Sequence, residues 1–126
     1  MPEVNVQAFA AAHAEGAFVV DVREPVEYLG GHVPGARLIP MGQLPARLRE
    51  LPQGERVYVI CASGNRSRTM TDYLVNSGID ALSVAGGTSE WVRTGQPVVA
   101  GSRPSAPDPS APDPDPSAPR PLRPRP

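Results

Sequence analysis

Four short apolar runs rich in β-branched residues recur along the chain, at residues 17–22 (AFVVDV), 36–39, 56–61 (RVYVIC) and the ALSVA stretch at 81–85. Runs with so little polar alternation read as strands covered on both faces. Between them lie segments with helical signals. Residues 7–15 form an alanine-rich helix with Asn5 as cap and Gly16 as stop. EPVEYL, with Pro25 early in it, is a short helix closed by Gly30-Gly31. Leu44, Leu48 and Leu51 fall at helical spacing, Pro45 standing in the first turn. Residues 67–77 place Met70, Tyr73 and Leu74 on one face before the stop at Gly78, and Gly86-Gly87 opens a last short helix carrying Trp91. Residues 4–6 are apolar but too brief to assign. Strands alternating with helices predict an α/β fold: a mostly parallel sheet with helices on both faces. Such sheets bind ligands at the carboxyl ends of their strands, which singles out Asp21-Val22-Arg23 and Cys61 onward.

The alternation stops near residue 100. Of the 126 residues, the first hundred hold 46 of the 50 hydrophobic ones, whereas residues 101–126 hold ten of the 17 prolines and only Ala106, Ala111, Ala118 and Leu122. A segment so poor in apolar surface cannot offset the entropy of ordering it, so 1–100 is expected to be the folded domain and 101–126 a disordered Pro/Ser/Ala/Asp-rich tail. SAPDP at 105–109 returns at 110–114, and SAP at 117–119.

Composition also narrows the function. One cysteine excludes an intramolecular disulfide framework and a zinc site built from several cysteines; no metal or cofactor is expected. The formal charge of −1 argues against nucleic acid as a partner. The chain has no apolar run long enough to span a membrane, and its first residues lack the pattern of a secretory signal, so a cytoplasmic protein is expected. All 12 basic residues are arginine. Without lysine there is neither a Schiff-base nucleophile nor a Walker-type phosphate loop.

The chemistry concentrates in Cys61-Ala62-Ser63-Gly64-Asn65-Arg66-Ser67. A cysteine ends a buried strand, a short polar loop follows, and a helix starts near Ser67. Backbone N–H groups in such a loop can turn inward as an anion nest, reinforced by the positive end of the helix. Gly64 and Asn65 suit the left-handed conformations the curl demands. With the fixed charge of Arg66, the nest is expected to hold Cys61 as a thiolate, the attacking form. An isolated cysteine at a strand end would more often be a small buried hydrophobe; the polar loop behind this one reverses that expectation.

Three segments in register, DVREPVEYLGGHVPGA at 21–36, CASGNRS at 61–67 and VAGGTSEWVRTGQPV at 84–98, make residues 4–99 resemble the rhodanese family of single-domain sulfurtransferases. The resemblance implies a five-stranded parallel sheet flanked by helices. It also implies that Cys61 takes a sulfane sulfur from a donor such as thiosulfate and yields the persulfide sulfur to cyanide or a thiol. Cys61 would be the nucleophile, Ala62, Ser63, Gly64, Asn65, Arg66 and Ser67 the substrate cradle. Ala62 departs from the pattern, since many thiosulfate-using members carry a basic residue there.

Cysteine phosphatases, including those on the same fold, use C-x5-R; Cys61 to Arg66 is C-x4-R, a cradle one residue smaller. Two other classes share the resemblance: a persulfide carrier serving a protein acceptor, and a non-catalytic binding module, which usually lacks the cysteine. Elsewhere, Arg23 is expected to pair with Glu27, His32 to be hydrogen-bonded in a turn, His13 to face solvent and Trp91 to pack in the core or at its rim.

Overall fold

The computed structural model describes residues 2–105; the tail expectation for 106–126 lies outside the described residues. Five strands, β1 (Glu3–Val4), β2 (Phe18–Asp21), β3 (Arg37–Leu38), β4 (Val57–Ile60) and β5 (Ala81–Val84), lie in the order β1-β5-β4-β2-β3, and every pairing is parallel. Helices α1 (Val6–Ala14), α2 (Pro25–Leu29), α3 (Asn65–Asn76) and α4 (Gly87–Arg93) alternate with them.

The strand side chains divide between two apolar layers because successive residues point to opposite faces. Val20, Val57, Val59 and Ala81 meet Leu44, Leu51, Met70 and Leu74 on one side. Val19, Ile60 and Val84 meet Val6, Phe9 and Trp91 on the other. α3 therefore covers one face while α1 and α4 cover the opposite one. Each fully buried Val, Leu, Ile or Phe contributes about 1.5–3 kcal/mol relative to exposure. In β2 and β4, Phe18 lies opposite Val57 and Asp21 opposite Ile60, so the two central strands end level. Asp21 and Cys61 thus reach the same edge of the sheet.

Local signals account for most element ends. Asn5 caps α1 by accepting from the Ala8 N–H at 2.8 Å. Glu24 and Glu27 form a reciprocal capping box at the start of α2, with Pro25 at its first position. The leucine-spaced segment departs from the expected α-helix: Met41–Glu50 is a 3-10 stretch with a kink at Arg47. Pro45 has no N–H to donate and its ring crowds the preceding turn, which prevents a regular α-helix there. The brief apolar stretch at 4–6 is split between β1 and the first residue of α1.

Hydrogen bonding runs past residue 100. His32 and Val99 exchange both backbone bonds at 2.9 Å, and Gly101 donates to the Leu29 carbonyl at 3.0 Å. The Pro104 carbonyl accepts from the Gly35 N–H at 2.8 Å. His32 is fully buried and stacks on Tyr28 with ring centroids 3.6 Å apart. Its Nδ1 lies 2.9 Å from the Tyr28 carbonyl and its Nε2 2.8 Å from the Arg103 carbonyl. Residues 101–105, grouped with the tail by composition, are tied to the domain by these backbone carbonyls, which side-chain chemistry does not reveal. His13 also departs from expectation. It is half-buried, with Nε2 2.7 Å from the Pro34 carbonyl and its ring edge-on to Trp91.

A chain ending at Gly101 is expected to be about 1–3 kcal/mol less stable than one ending at Ser105, because Gly35 N–H and the buried His32 ring lose their carbonyl partners. Urea denaturation of the two truncations measures this, and equal midpoints would contradict it.

Candidate active site

β4 delivers Cys61 to the carboxyl edge of the sheet, where its side chain is 1% exposed. The chain then curls over the sulfur. Gly64 adopts φ 111°, and a Cβ there would lie 3.3 Å from the Gly86 nitrogen, so this turn favours glycine on both counts. Its N–H donates to Cys61 Sγ at 3.0 Å. Asn65 is not part of the left-handed curl. It is the first residue of α3, which begins two residues before the expected Ser67 because Gly64 alone completes the turn.

The loop is clamped from outside by the start of α4. Thr88 N–H donates to the Cys61 carbonyl at 2.8 Å and Ser89 N–H to the Ala62 carbonyl at 3.0 Å. Gly87, at φ 58°, lies between them; a Cβ there would sit 2.4 Å from the Cys61 oxygen and 2.7 Å from the Ala62 oxygen. A trans peptide is planar, with its C=O and the next residue's N–H pointing in opposite directions. Pinning these two carbonyls on α4 therefore turns the N–H groups of Ala62 and Ser63 the other way, into the loop. The curl is imposed by tertiary packing as much as by the loop's own residues.

Burial pushes the Cys61 thiol up, yet its pKa lies below the ordinary thiol value. The Ser67 hydroxyl and the backbone N–H groups of Ser67, Gly64 and Ser63 outweigh desolvation by hydrogen bonding to the sulfur. The charge of Arg66 acts beside these hydrogen bonds: the Cys61 thiolate and Glu27 both raise the guanidinium's own pKa, Glu27 the more. That guanidinium is engaged fork to fork by Glu27, Nη1 to Oε1 at 2.8 Å and Nη2 to Oε2 at 2.9 Å. Arg23 in turn does not pair with Glu27. It forms a buried pair with Asp21, Nη2 to Oδ2 at 2.9 Å, and donates to the Gly31 carbonyl at 2.8 Å.

Of the other loop residues, Ser63 and Asn65 are exposed, Ala62 is half-buried, and Gly64 and Ser67 are buried. Asn65 Oδ1 accepts from Arg68 Nη2 at 3.1 Å. Ser67 Oγ lies 3.5 Å from Sγ, 3.1 Å from the Gly64 carbonyl and 2.8 Å from Ser83 Oγ. A hydroxyl has one proton to give. With Ser83 donating to Ser67, the Ser67 proton is free for either the sulfur or the carbonyl. No role at the site was legible in sequence for Ser83 on β5, for Gly87, read there as opening a helix, or for Glu27, read as a partner of Arg23. For Gly87 the consecutive glycines were the one available signal. Among the described residues no group of three or more His, Cys, Asp or Glu is placed to hold a metal ion.

A family model described as a rhodanese-like domain matches residues 5–94. A protein named sulfurtransferase from Allochromatium vinosum is 38% identical over 90 residues, covering 71% of this chain and 84% of that relative. The putative sulfur carrier protein YrkF of Bacillus subtilis is 33% identical over 94 residues, covering 72% of this chain and 51% of its own length. The crystal structure of a rhodanese-related protein from Thermoplasma volcanium superposes with a TM-score of 0.74 at 31% identity, covering 79% of this chain and 98% of that one.

Two measurements check this geometry. Gly87→Ala is expected to cost about 3 kcal/mol or more, since a left-handed Cβ meets backbone that cannot swing aside; a loss below about 1 kcal/mol in urea denaturation would refute the clamp. The rate of Cys61 alkylation by iodoacetamide tracks the thiolate fraction. It is expected to reach its midpoint at lower pH than a free thiol, and Ser67→Ala to move that midpoint upward.

Proposed function

The chain belongs to the rhodanese-like family, and from that premise we propose that it is a sulfurtransferase whose Cys61 carries the transferred sulfur as a persulfide. One observation carries the reading: a buried cysteine sulfur lies within hydrogen-bond reach of Gly64 N–H, inside a loop whose carbonyls are held outward. The thiolate attacks the outer sulfur of a donor such as thiosulfate. A bond forms from Sγ to that sulfur, the donor's sulfur–sulfur bond breaks, and the electron pair leaves with sulfite. Cyanide or a thiol then attacks the outer sulfur and Cys61 departs as the thiolate. In this reading Ala62, Ser63, Gly64, Asn65, Arg66 and Ser67 bind the substrate, the inward N–H groups holding the anionic sulfur at both stages.

The C-x4-R spacing favours sulfur over a tetrahedral phosphate. A second reading, a persulfide carrier that discharges only to a protein acceptor, draws on the sulfur-carrier name of one relative, of which this chain spans about half. No helix among the described residues is long and apolar enough to cross a membrane. We place the reaction in the cytoplasm, where a reducing thiol pool keeps Cys61 free and supplies acceptors.

Intact-mass measurement after incubation with a sulfane donor is expected to show a gain of one sulfur atom that cyanide removes. Cys61→Ser is expected to show neither gain nor turnover while retaining the fold. Repeated turnover with small acceptors marks the enzyme; a single loading that small thiols cannot discharge marks the carrier. Sulfur transfer by the serine variant would overturn the mechanism.

A further inference from the structure

We propose that Glu27 is a specificity residue that occupies Arg66 and thereby disfavours dianionic donors such as thiosulfate, so that the sulfur reaching Cys61 comes from a persulfide of a thiol. This rests on the sulfur-transfer reading of Cys61 and narrows its donor class.

The residues that could bring positive charge to the loop differ in how far they are committed. Ala62 brings no charge to the position after the cysteine. Arg23 is buried against Asp21 and the Gly31 carbonyl. Arg68, exposed, shares a hydrogen bond with Asn65. Arg66, the guanidinium within the loop itself, has its fork filled by Glu27. The carboxylate that fills it is not a casual surface contact. Glu27 stands at the third position of α2, and its Oε1 also accepts the Glu24 N–H at 2.9 Å, so the helix cap fixes where the carboxylate sits. The hydrogen bonds from the Arg66 guanidinium, against desolvation and helped by that N–H, hold the Glu27 carboxyl down to about 2, which keeps it ionised at any working pH.

Thiosulfate brings two negative charges toward a thiolate. To gain the one cation that stands within the loop, it must displace Glu27 from a bidentate pair already made. A persulfide, R–S–SH, has no such requirement. The thiolate attacks its terminal sulfur, the Sγ–S bond forms, the bond between the inner and terminal sulfurs breaks, and R–S⁻ leaves with the electron pair while the terminal sulfur keeps its proton. Charge and atoms balance without a second cation, and the inward N–H groups suffice.

The test compares thiosulfate with cysteine persulfide on wild type, Glu27→Gln and the Glu27→Gln/Arg66→Gln double variant. Glutamine can still accept the Glu24 N–H, so the helix cap survives the substitution. Freeing a unit charge about 6 Å from a dianion in a water-like dielectric is worth about tenfold in binding. Wild type is expected to use the persulfide in preference to thiosulfate. Glu27→Gln is expected to lower KM for thiosulfate about tenfold with kcat little changed, to make that KM sensitive to salt, and to leave persulfide kinetics within twofold. The gain is expected to vanish in the double variant. A purely structural staple between α2 and α3 would move both donors together; that result, or an unchanged thiosulfate KM, overturns the role of Glu27 while persulfide loading of Cys61 still stands. If intact mass shows no loading of wild type by either donor, the sulfur-transfer reading itself falls, and this proposal with it.

Discussion

Two backbone hydrogen bonds, from Thr88 and Ser89 to the carbonyls of Cys61 and Ala62, hold the site together. They exist only because Gly87 lets the start of α4 approach the loop backbone, where any Cβ would collide with two carbonyl oxygens. Once those carbonyls face outward, peptide planarity leaves the following N–H groups no choice of direction. The inward set of the loop's N–H groups is thus a consequence of how α4 packs on the sheet edge. That packing is secured in turn by Trp91, buried against Phe9 in an edge-on contact with centroids 5.3 Å apart and donating to the Pro97 carbonyl at 2.7 Å.

The electrostatics follow a related logic. A buried thiolate can be stabilised by a nearby cation or by oriented dipoles; here hydrogen-bonding dipoles lead, and the charge of Arg66 is the lesser contribution. Two arginines at this edge of the sheet are matched to carboxylates: Asp21 takes Arg23 inside the protein, Glu27 takes Arg66 at its margin. Breaking the buried pair would strand an uncompensated charge at a cost of about 3–5 kcal/mol. The marginal pair, about one-third exposed on each side, is screened and contributes far less to stability. Its consequence is to set the potential that an approaching anion meets.

The fold was largely legible because its signals are local. Continuous apolar runs marked β2, β4 and β5, and Asn5, Pro25, Gly78 and the Gly86-Gly87 pair marked helix ends. Cys61 with its loop was legible for the same reason: strand end, glycine and helix start are neighbours in sequence. What escaped was set by distant partners. Arg23 and Glu27, four residues apart near the start of α2, suggested a helix staple, yet Asp21 claims Arg23 and Arg66, 39 residues away, claims Glu27. Ser83 carried no signal of its own within the apolar ALSVA run; β5 places it against Ser67. The carbonyls of Arg103 and Pro104 carry no side-chain signature, so composition could not show that they engage His32 and Gly35.

Placing Cys61 on a clamp of this kind couples stability to thiol acidity in one direction. A change that loosens α4 from the loop costs hydrogen bonds and packing, and it also releases the carbonyls, letting the N–H groups turn away from the sulfur. The thiol pKa then rises toward that of an ordinary buried thiol, because burial remains while the donors that outweighed it are lost. The reverse does not hold. Altering Ser67 or Glu27 changes what the sulfur or an incoming anion experiences, yet it leaves the backbone bonds of Thr88 and Ser89 in place. Acidity and donor choice can therefore vary over a fixed frame, whereas the frame tolerates little change at Gly87, the residue on which both depend.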